Sequence, residues 1–320
     1  MDLRRAKRSI FAVPGNSSKM IGKSRNFQVD QIFYDLEDAV SASEKSSART
    51  LLWSSFLENS GMRKEIVAGI VSIRVNSMST SWFEEDMELL AAGVGREIDS
   101  IIFPKASSRE EMNLLDARIS AVEKVCGLPD RHILVDAQIE TALGVVNAEN
   151  IASSPRVASL SFGPADFMAD VGMPSSRVTH APAGYEGGDI FHYPMMKILI
   201  AARAAGIAAI DGPTLEVHSV DFFLNSAKRA YALGFDGKWI LHPSQIEPCH
   251  EIFTPSQSSF DQAMVSLQAY DYFTSQQGGN RGAFMHNGAM VDEATRKMSQ
   301  RIASRGMAAG LVQSENFKTE

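Results

Sequence analysis

Eight short β-rich runs between Ser9 and Pro243, each closed by polar or turn-forming residues, constrain the fold more than any other feature of this chain. They are SIFAVP, QIFYDLE, VSIRVN, SIIFPKA, HILVDAQIE, ASLSFGPAD, IAAIDGP and KWILHP. Stretches with helical apolar spacing, such as WFEEDMELLAAG and VDFFLNSAKRAYALG, lie between most of them, so strand and helix alternate about every 30 residues. The alternation predicts an α/β protein, and eight repeats predict a (β/α)8 TIM barrel. A doubly wound open sheet alternates in the same way, but a count of eight favours closure.

The length of 320 residues suits one such barrel, expected over residues 1–253, followed by a C-terminal helical extension over 254–320. In the extension FDQAMVSLQAYDYF reads as an amphipathic helix, TSQQGGNRG as a polar break, and AFMHNGAMVDEATRKMSQRIASRG as a turn into a second helix. The last residues, LVQSENFKTE, are expected to fray. Hydrophobic residues at 44% and charged residues at 22% supply a sizeable core and exclude a disordered chain. The 31 Lys+Arg against 38 Asp+Glu give a net charge of -7, which argues against a nucleic-acid or anionic-membrane footprint. Cys126 and Cys249 lie far apart without metal-ligand spacing, which suits a reduced, cytoplasmic protein without a zinc site. The apolar run from Ile10 to Val13 is too short for a signal-peptide core, and Arg203 interrupts the best candidate for a membrane span.

The strand ends carry the chemistry. In order they bear Pro14-Gly15, Glu37-Asp38, Arg74 with Asn76, Pro104-Lys105, Glu140, Gly163 to Asp166, Asp211-Gly212 and His242-Pro243. In a barrel those carboxyl ends meet on one face, where active sites are built. Glu140 and Asp166 end consecutive strands, and two hard carboxylates suffice for magnesium, which keeps waters and substrate oxygens as its other ligands. An ion pair or a helix cap is the alternative for each.

Arg74 should point into the barrel mouth. There it could hold a substrate carboxylate by paired hydrogen bonds, stabilise an oxyanion, or form an internal salt bridge to Glu37 or Asp38. If their strand persists, Glu37 and Asp38 face opposite sides, one orienting a metal-bound water and the other capping the helix that begins near Ser43. Lys105 reads as a phosphate or carboxylate contact or as a solvated charge, the second being preferred. His242 reads as a structural hydrogen bonder at the rim rather than a base. The Pro- and Gly-rich segment from Met173 to Asp189, which contains His180, reads as a functional loop with His192 beside it. No phosphate loop, dinucleotide fingerprint or G-x-S-x-G elbow follows a strand, so those enzyme classes lose support.

Taken in order, FAVPGN, YDLEDAV with EKSSAR, IRVN, FPKA, IETALGVVNAENIA, FGPADF, AARAAGIAAIDGP, LGFDGKWILHPSQI and NGAMVD resemble one family. It is the citrate lyase beta-subunit family, which includes the malyl-CoA lyases and belongs to the HpcH/HpaI aldolase superfamily. The resemblance implies a magnesium-dependent barrel that cleaves or forms a carbon-carbon bond in coenzyme A thioesters. FGPADF, the EGGDIFHY loop and AIDGP are more similar to malyl-CoA, β-methylmalyl-CoA or citramalyl-CoA lyases than to citryl-CoA lyase. Such a substrate would divide into an acyl-CoA and a 2-oxo acid, glyoxylate or pyruvate.

By the same resemblance Glu140 and Asp166 are the magnesium ligands, Arg74 the substrate-binding arginine, and Glu37 and Asp38 a pair near the metal. Backbone amides from Gly163 through Ala165 to Asp166 would cradle the oxo acid's carboxylate, although Pro164 has no N–H to give. Phe11 and Pro14 fall in the coenzyme A stretch, where Lys19 would stand in for an arginine that many relatives carry. Asp292 matches an acidic residue delivered by a neighbouring subunit's C-terminal lid, which implies a homotrimer or homohexamer. Competing readings are a citryl-CoA lyase, a metal-dependent aldolase on free 4-hydroxy-2-oxo acids, a relative that hydrolyses its condensation product, and a non-catalytic CoA-binding subunit.

Overall fold

The computed structural model describes residues 5–58, 61–173, 188–214, 216–286 and 288–317. Eight parallel strands close into a barrel in sequence order. They are β1 (Ser9–Pro14), β2 (Gln31–Asp35), β3 (Ile70–Arg74), β4 (Ser100–Phe103), β5 (Leu134–Ile139), β6 (Val157–Phe162), β7 (Ala208–Asp211) and β8 (Gly237–Ile240). Pairs such as Ser9 with Lys238 and Phe11 with Ile240 join β8 to β1. Each of the eight runs contains one strand, but several strands stop short of the polar residues that close the run, and this is what frees those residues to turn inward.

The helices of this unit are α1 (Ser18–Ser24), α2 (Lys45–Trp53), α3 (Trp82–Ala91), α4 (Arg109–Cys126), α5 (Ala142–Val146), α6 (Ala148–Ala152), α7 (Pro164–Asp170), α8 (His192–Ala204), α9 (Val220–Leu233) and α10 (Ile246–Phe253). α4 illustrates how the sequence sets them. Ser108 accepts the N–H of Glu111, acidic Glu110 and Glu111 occupy the first turn, and Gly127 ends the helix at φ 67°. Met112, Leu115, Ile119, Val122 and Cys126 form its buried stripe at helical spacing.

Alternation along the strands divides the barrel into an inner and an outer face. Inside, Ile10, Phe33, Ile102, Ala208, Ile210 and Trp239 form one apolar cluster from five strands. Toward the amino ends the interior turns polar: the Asp136 carboxylate accepts from Gln31 Nε2, Ser100 Oγ and Ser159 Oγ and pairs with Lys7 Nζ at 2.5 Å. Burial works against that carboxylate, but Lys7 and the hydrogen bonds hold its carboxyl below the usual range. The bottom of the barrel is thus filled and satisfied, and open chemistry is left to the carboxyl ends. Outward-facing Phe11 packs at a tilt against Phe27, 4.7 Å between ring centroids, and Tyr34 meets Phe56 edge-on at 5.6 Å. Cys126 and Cys249 are free and buried.

The chain divides into two compact units, with Lys7–His250 in one and Glu251–Glu320 in the other. The division falls inside α10, ahead of the boundary after Phe253 that the sequence suggests. In the second unit α11 (Gln257–Thr274) packs against α12 (Glu293–Ala308). The expected turn before α12 is an antiparallel hairpin of β9 (Phe284–His286) and β10 (Ala289–Val291). Ala269, Phe284 and Val291 are buried there, with Tyr270, Phe273 and Phe317 packed on them.

Phe317 also corrects the expectation of a frayed end for the described residues. Its N–H donates to Gln268 Oε1 at 2.8 Å, and the Ser314 N–H donates to Asp261 Oδ1 at 2.8 Å. An aromatic anchor and side-chain acceptors on α11 tie this segment down. Among the described residues no helix is long and apolar enough to cross a membrane.

Candidate active site

β2 ends at Asp35 and β3 at Arg74, and the two are register partners on adjacent strands. Their side chains meet as a bidentate pair, Nε to Oδ1 at 2.8 Å and Nη2 to Oδ2 at 2.6 Å. Asp35 also accepts the N–H of Glu37 at 2.8 Å and of Ala39 at 3.2 Å. Burial acts against the Asp35 carboxylate, yet Arg74 and these N–H groups hold its carboxyl below the usual range.

One guanidinium edge is therefore committed to Asp35, and the donors that remain lie on the Nη1/Nη2 end. There Nη1 makes the expected internal ion pairs, 3.1 Å from Glu37 Oε2 and 3.8 Å from Asp38 Oδ2. The guanidinium lies 5.6 Å from the Trp239 ring centroid and 6.0 Å from that of Phe33, which fixes its plane from the apolar side.

The strand does not persist to Glu37 and Asp38, so they do not split to opposite sides. A turn begins at Leu36, held by Lys45 Nζ on the carbonyls of Leu36 and Glu37, each at 2.7 Å. Asn76 Nδ2 adds a bond to the Leu36 carbonyl at 3.1 Å. Glu37 is buried and Asp38 exposed, and both approach Arg74 and Lys105. Neither caps the following helix, where Ser41 is the N-cap residue. Burial pushes the Glu37 carboxyl up despite its two cationic neighbours.

Lys105 is not the solvated charge the sequence favoured. Its φ of 53° lies in the left-handed region, uncommon for a residue with a side chain and a sign of local constraint. That conformation aims its N–H at Glu140 Oε1, 2.9 Å away, and its ammonium at Glu37, with Asp166 Oδ1 at 3.5 Å. Burial opposes the Lys105 charge, but the bond to Glu37 raises its pKa above the ordinary lysine value.

Glu140, just past β5, is fully buried, and Gln138 Nε2 donates to its Oε2. Its carboxyl is pushed up to about 8 by burial and by the charge of Asp166. Asp166 stands in the first turn of α7, whose N-cap is Gly163. A Cβ on Gly163 would overlap Glu140 Oε2, so only glycine leaves room for the carboxylate where it lies.

These residues suit a divalent ion of the magnesium type. Glu140 and Asp166 are hard oxygen donors that both meet Lys105, one at its N–H and the other near its ammonium, and no cage of three or more His, Cys, Asp or Glu gathers among the described residues. An ion that takes two carboxylates and keeps its waters fits that donor set. Gly163→Ala is expected to displace Glu140 and weaken magnesium binding about 10- to 100-fold, read by calorimetry, with the barrel still folded.

The remaining candidates divide. Gly163 spends its own N–H on the Ile139 carbonyl at 3.0 Å, so it cannot join an anion cradle; Ala165 and Asp166 keep first-turn amides without intrahelical acceptors. Phe11 is fully buried against Phe27, on the outer parity of β1, and does not reach the site. Pro14 ends β1 half-buried on the inner parity, and Lys19 is exposed on α1. Asp292 belongs to the second unit and caps α12, its Oδ1 accepting the Thr295 N–H at 2.9 Å. That bond holds its carboxyl below the usual range. His242 bonds Ser244 Oγ through Nδ1 at 2.8 Å, as a rim residue would. His180 and Glu186 lie outside the described residues, and His192 is exposed at the start of α8. Sequence reasoning missed Asp35. Its signal was an acid at an inward position of the strand beside Arg74.

Residues 8–243 match the family model described as HpcH/HpaI aldolase/citrate lyase. The chain belongs to this family. Among curated HpcH/HpaI relatives, the citrate lyase subunit beta of Leuconostoc mesenteroides subsp. cremoris is 33% identical over 98% of each chain. The L-malyl-CoA/beta-methylmalyl-CoA lyase of Cereibacter sphaeroides is 30% identical over 90% of this chain and 91% of that one. Among solved structures, CitE from Mycobacterium tuberculosis in complex with magnesium, acetoacetate and coenzyme A aligns with a TM-score of 0.70 and 27% identity, covering 95% of this chain and 99% of that chain. Citrate lyase beta subunits and malyl-CoA lyases thus match at nearly equal identity.

Proposed function

We propose that this chain is a magnesium-dependent carbon-carbon lyase that cleaves, or in reverse forms, a 3-hydroxyacyl-CoA. Malyl-CoA, β-methylmalyl-CoA and citramalyl-CoA are its substrate class, and an acyl-CoA with glyoxylate or pyruvate its products. The observation that carries the reading is the meeting of Glu140 and Asp166, through Lys105 and Glu37, with the Nη1 side of Arg74 at the ends of five consecutive strands. A citrate lyase beta relative and malyl-CoA lyases support the coenzyme A thioester class.

Cleavage turns the hydroxyl into a carbonyl as its proton leaves to water, and leaves an enolate on the thioester fragment whose α-carbon takes one up, so two oxygen charges and two proton transfers must be managed. When bound at Glu140 and Asp166, magnesium supplies Lewis acidity to the hydroxyl and carboxylate of the substrate. Arg74, its plane fixed by Asp35, presents one donor edge toward growing oxygen charge, a contribution of about 3 kcal/mol for a well-placed donor. The first-turn amides of Ala165 and Asp166 hold the oxo acid's carboxylate, and Pro14 and Lys19 lie toward the coenzyme A. Asp292 moves the proton at the thioester α-carbon, as an acid in cleavage and a base in condensation. It acts from the C-terminal extension of a neighbouring copy in a cytoplasmic homotrimer or homohexamer, where a closing lid keeps water from the enolate.

Purified protein offered malyl-CoA, β-methylmalyl-CoA, citramalyl-CoA and citryl-CoA should release oxo acid from one of the first three with magnesium present. Release from citryl-CoA alone would move the chain to the citryl-CoA lyases, and silence across the panel would overturn the lyase reading.

A further inference from the structure

Five carboxylates, Asp35, Glu37, Asp38, Glu140 and Asp166, face two cations, Arg74 and Lys105. Arg74 commits Nε and Nη2 to Asp35 and lies buried among rings, so it has no freedom to follow charge elsewhere. Lys105 differs. Its backbone is locked on Glu140 Oε1, while its side chain remains one-third exposed and reaches Glu37, Asp38 and Asp166 together. A single residue thus touches both carboxylates assigned to the metal, one through its amide and the other through its ammonium.

We propose that Lys105 is a tethered counter-cation of the metal site: its ammonium compensates Asp166 and Glu37 before a divalent ion enters, and withdraws from Asp166 when it does. The inference rests on the reading that Glu140 and Asp166 hold magnesium. Coulomb repulsion drives the withdrawal, because an ammonium 3.5 Å from Asp166 Oδ1 stands where a divalent ion's field is strong. Glu37 gives the displaced ammonium a place to stay, and the left-handed backbone keeps the Glu140 bond in place throughout. Lys105 therefore lowers magnesium affinity and keeps the metal-free acid cluster from repelling itself.

The test is calorimetric titration of the whole protein with magnesium chloride, beside thermal melting in EDTA and in excess magnesium. Lys105→Met is expected to bind magnesium about tenfold more tightly than the native chain. It should also lose more melting temperature in EDTA than in magnesium. Lys105→Arg, which keeps the charge, should bind within about twofold of the native value. Lys105→Gln serves if the methionine variant does not fold.

Glu140→Gln separates the two claims. If it binds magnesium as the native chain does, the metal-site reading fails and takes this one with it. If it loses binding while neutral Lys105 variants bind no more tightly than native protein, only the counter-cation role is overturned. Equal tightening in Lys105→Arg would likewise overturn it, since charge would then not be the cause.

Discussion

Arg74→Ala is expected to lower kcat about 100- to 1000-fold, the loss seen when one donor to a developing oxyanion is removed. The same change leaves Asp35 buried without its partner, at a cost of about 3 to 5 kcal/mol of stability. The two effects are separable because Asp35 and Arg74 form a closed bidentate pair. An Asp35→Leu, Arg74→Met double variant removes both buried charges and should recover much of the melting temperature, short of the two N–H bonds that Asp35 makes to Glu37 and Ala39. It should recover none of the turnover. If activity returned along with stability, Arg74 would be a structural arginine and the oxyanion role would pass to another donor.

Asp292→Asn should lower turnover about 100- to 10,000-fold while leaving the melting temperature nearly unchanged. The choice of asparagine follows from the structure. Asp292 caps α12 through Thr295, and asparagine caps a helix about as well as aspartate, whereas alanine would cost about 1 kcal/mol in addition to the proton carrier. Mixed oligomers of Arg74→Ala and Asp292→Asn subunits should regain part of the lost activity, since some sites would combine an intact barrel with an intact neighbouring lid. Full activity in Asp292→Asn alone would remove that residue from the mechanism. No recovery in verified mixed oligomers would place the acid and its barrel in one chain.

Much of the barrel was legible because its signal is periodic. Each of the eight runs contains a strand, and the polar residues closing them do gather at one end. What pattern reading handled badly was where a strand stops. Strand alternation sends Glu37 and Asp38 to opposite sides, yet β2 ends at Asp35 and the turn held by Lys45 brings both toward the same cations. The resemblance puts Phe11 in the coenzyme A stretch, whereas the parity of β1, with Ile10 in the inner cluster, puts its ring outside the barrel.

Lys105 is legible as a charge at a strand end but its conformation is not: a left-handed backbone on a lysine follows no propensity, and its contacts need Glu140 and Glu37 in place. The inward position of Asp35 is legible, but its pairing with Arg74 needs the register between β2 and β3, which a single sequence does not carry. The hairpin before α12 was more accessible, since Asn-Gly between two apolar segments is a strong short-range turn signal. The final segment reads as frayed because chain ends usually are, and the packing of one phenylalanine, Phe317, outweighs that.

The central claim is that carbon-carbon cleavage depends on a divalent ion held by Glu140 and Asp166. It is tested most directly by following oxo-acid release from malyl-CoA and citramalyl-CoA by metal-stripped protein as magnesium is added back, with Glu140→Gln in parallel. The account predicts no release in EDTA, a saturable rise with magnesium for the native chain, and no rise for the variant. Release at the full rate in EDTA, or an unchanged magnesium response in Glu140→Gln, would contradict it.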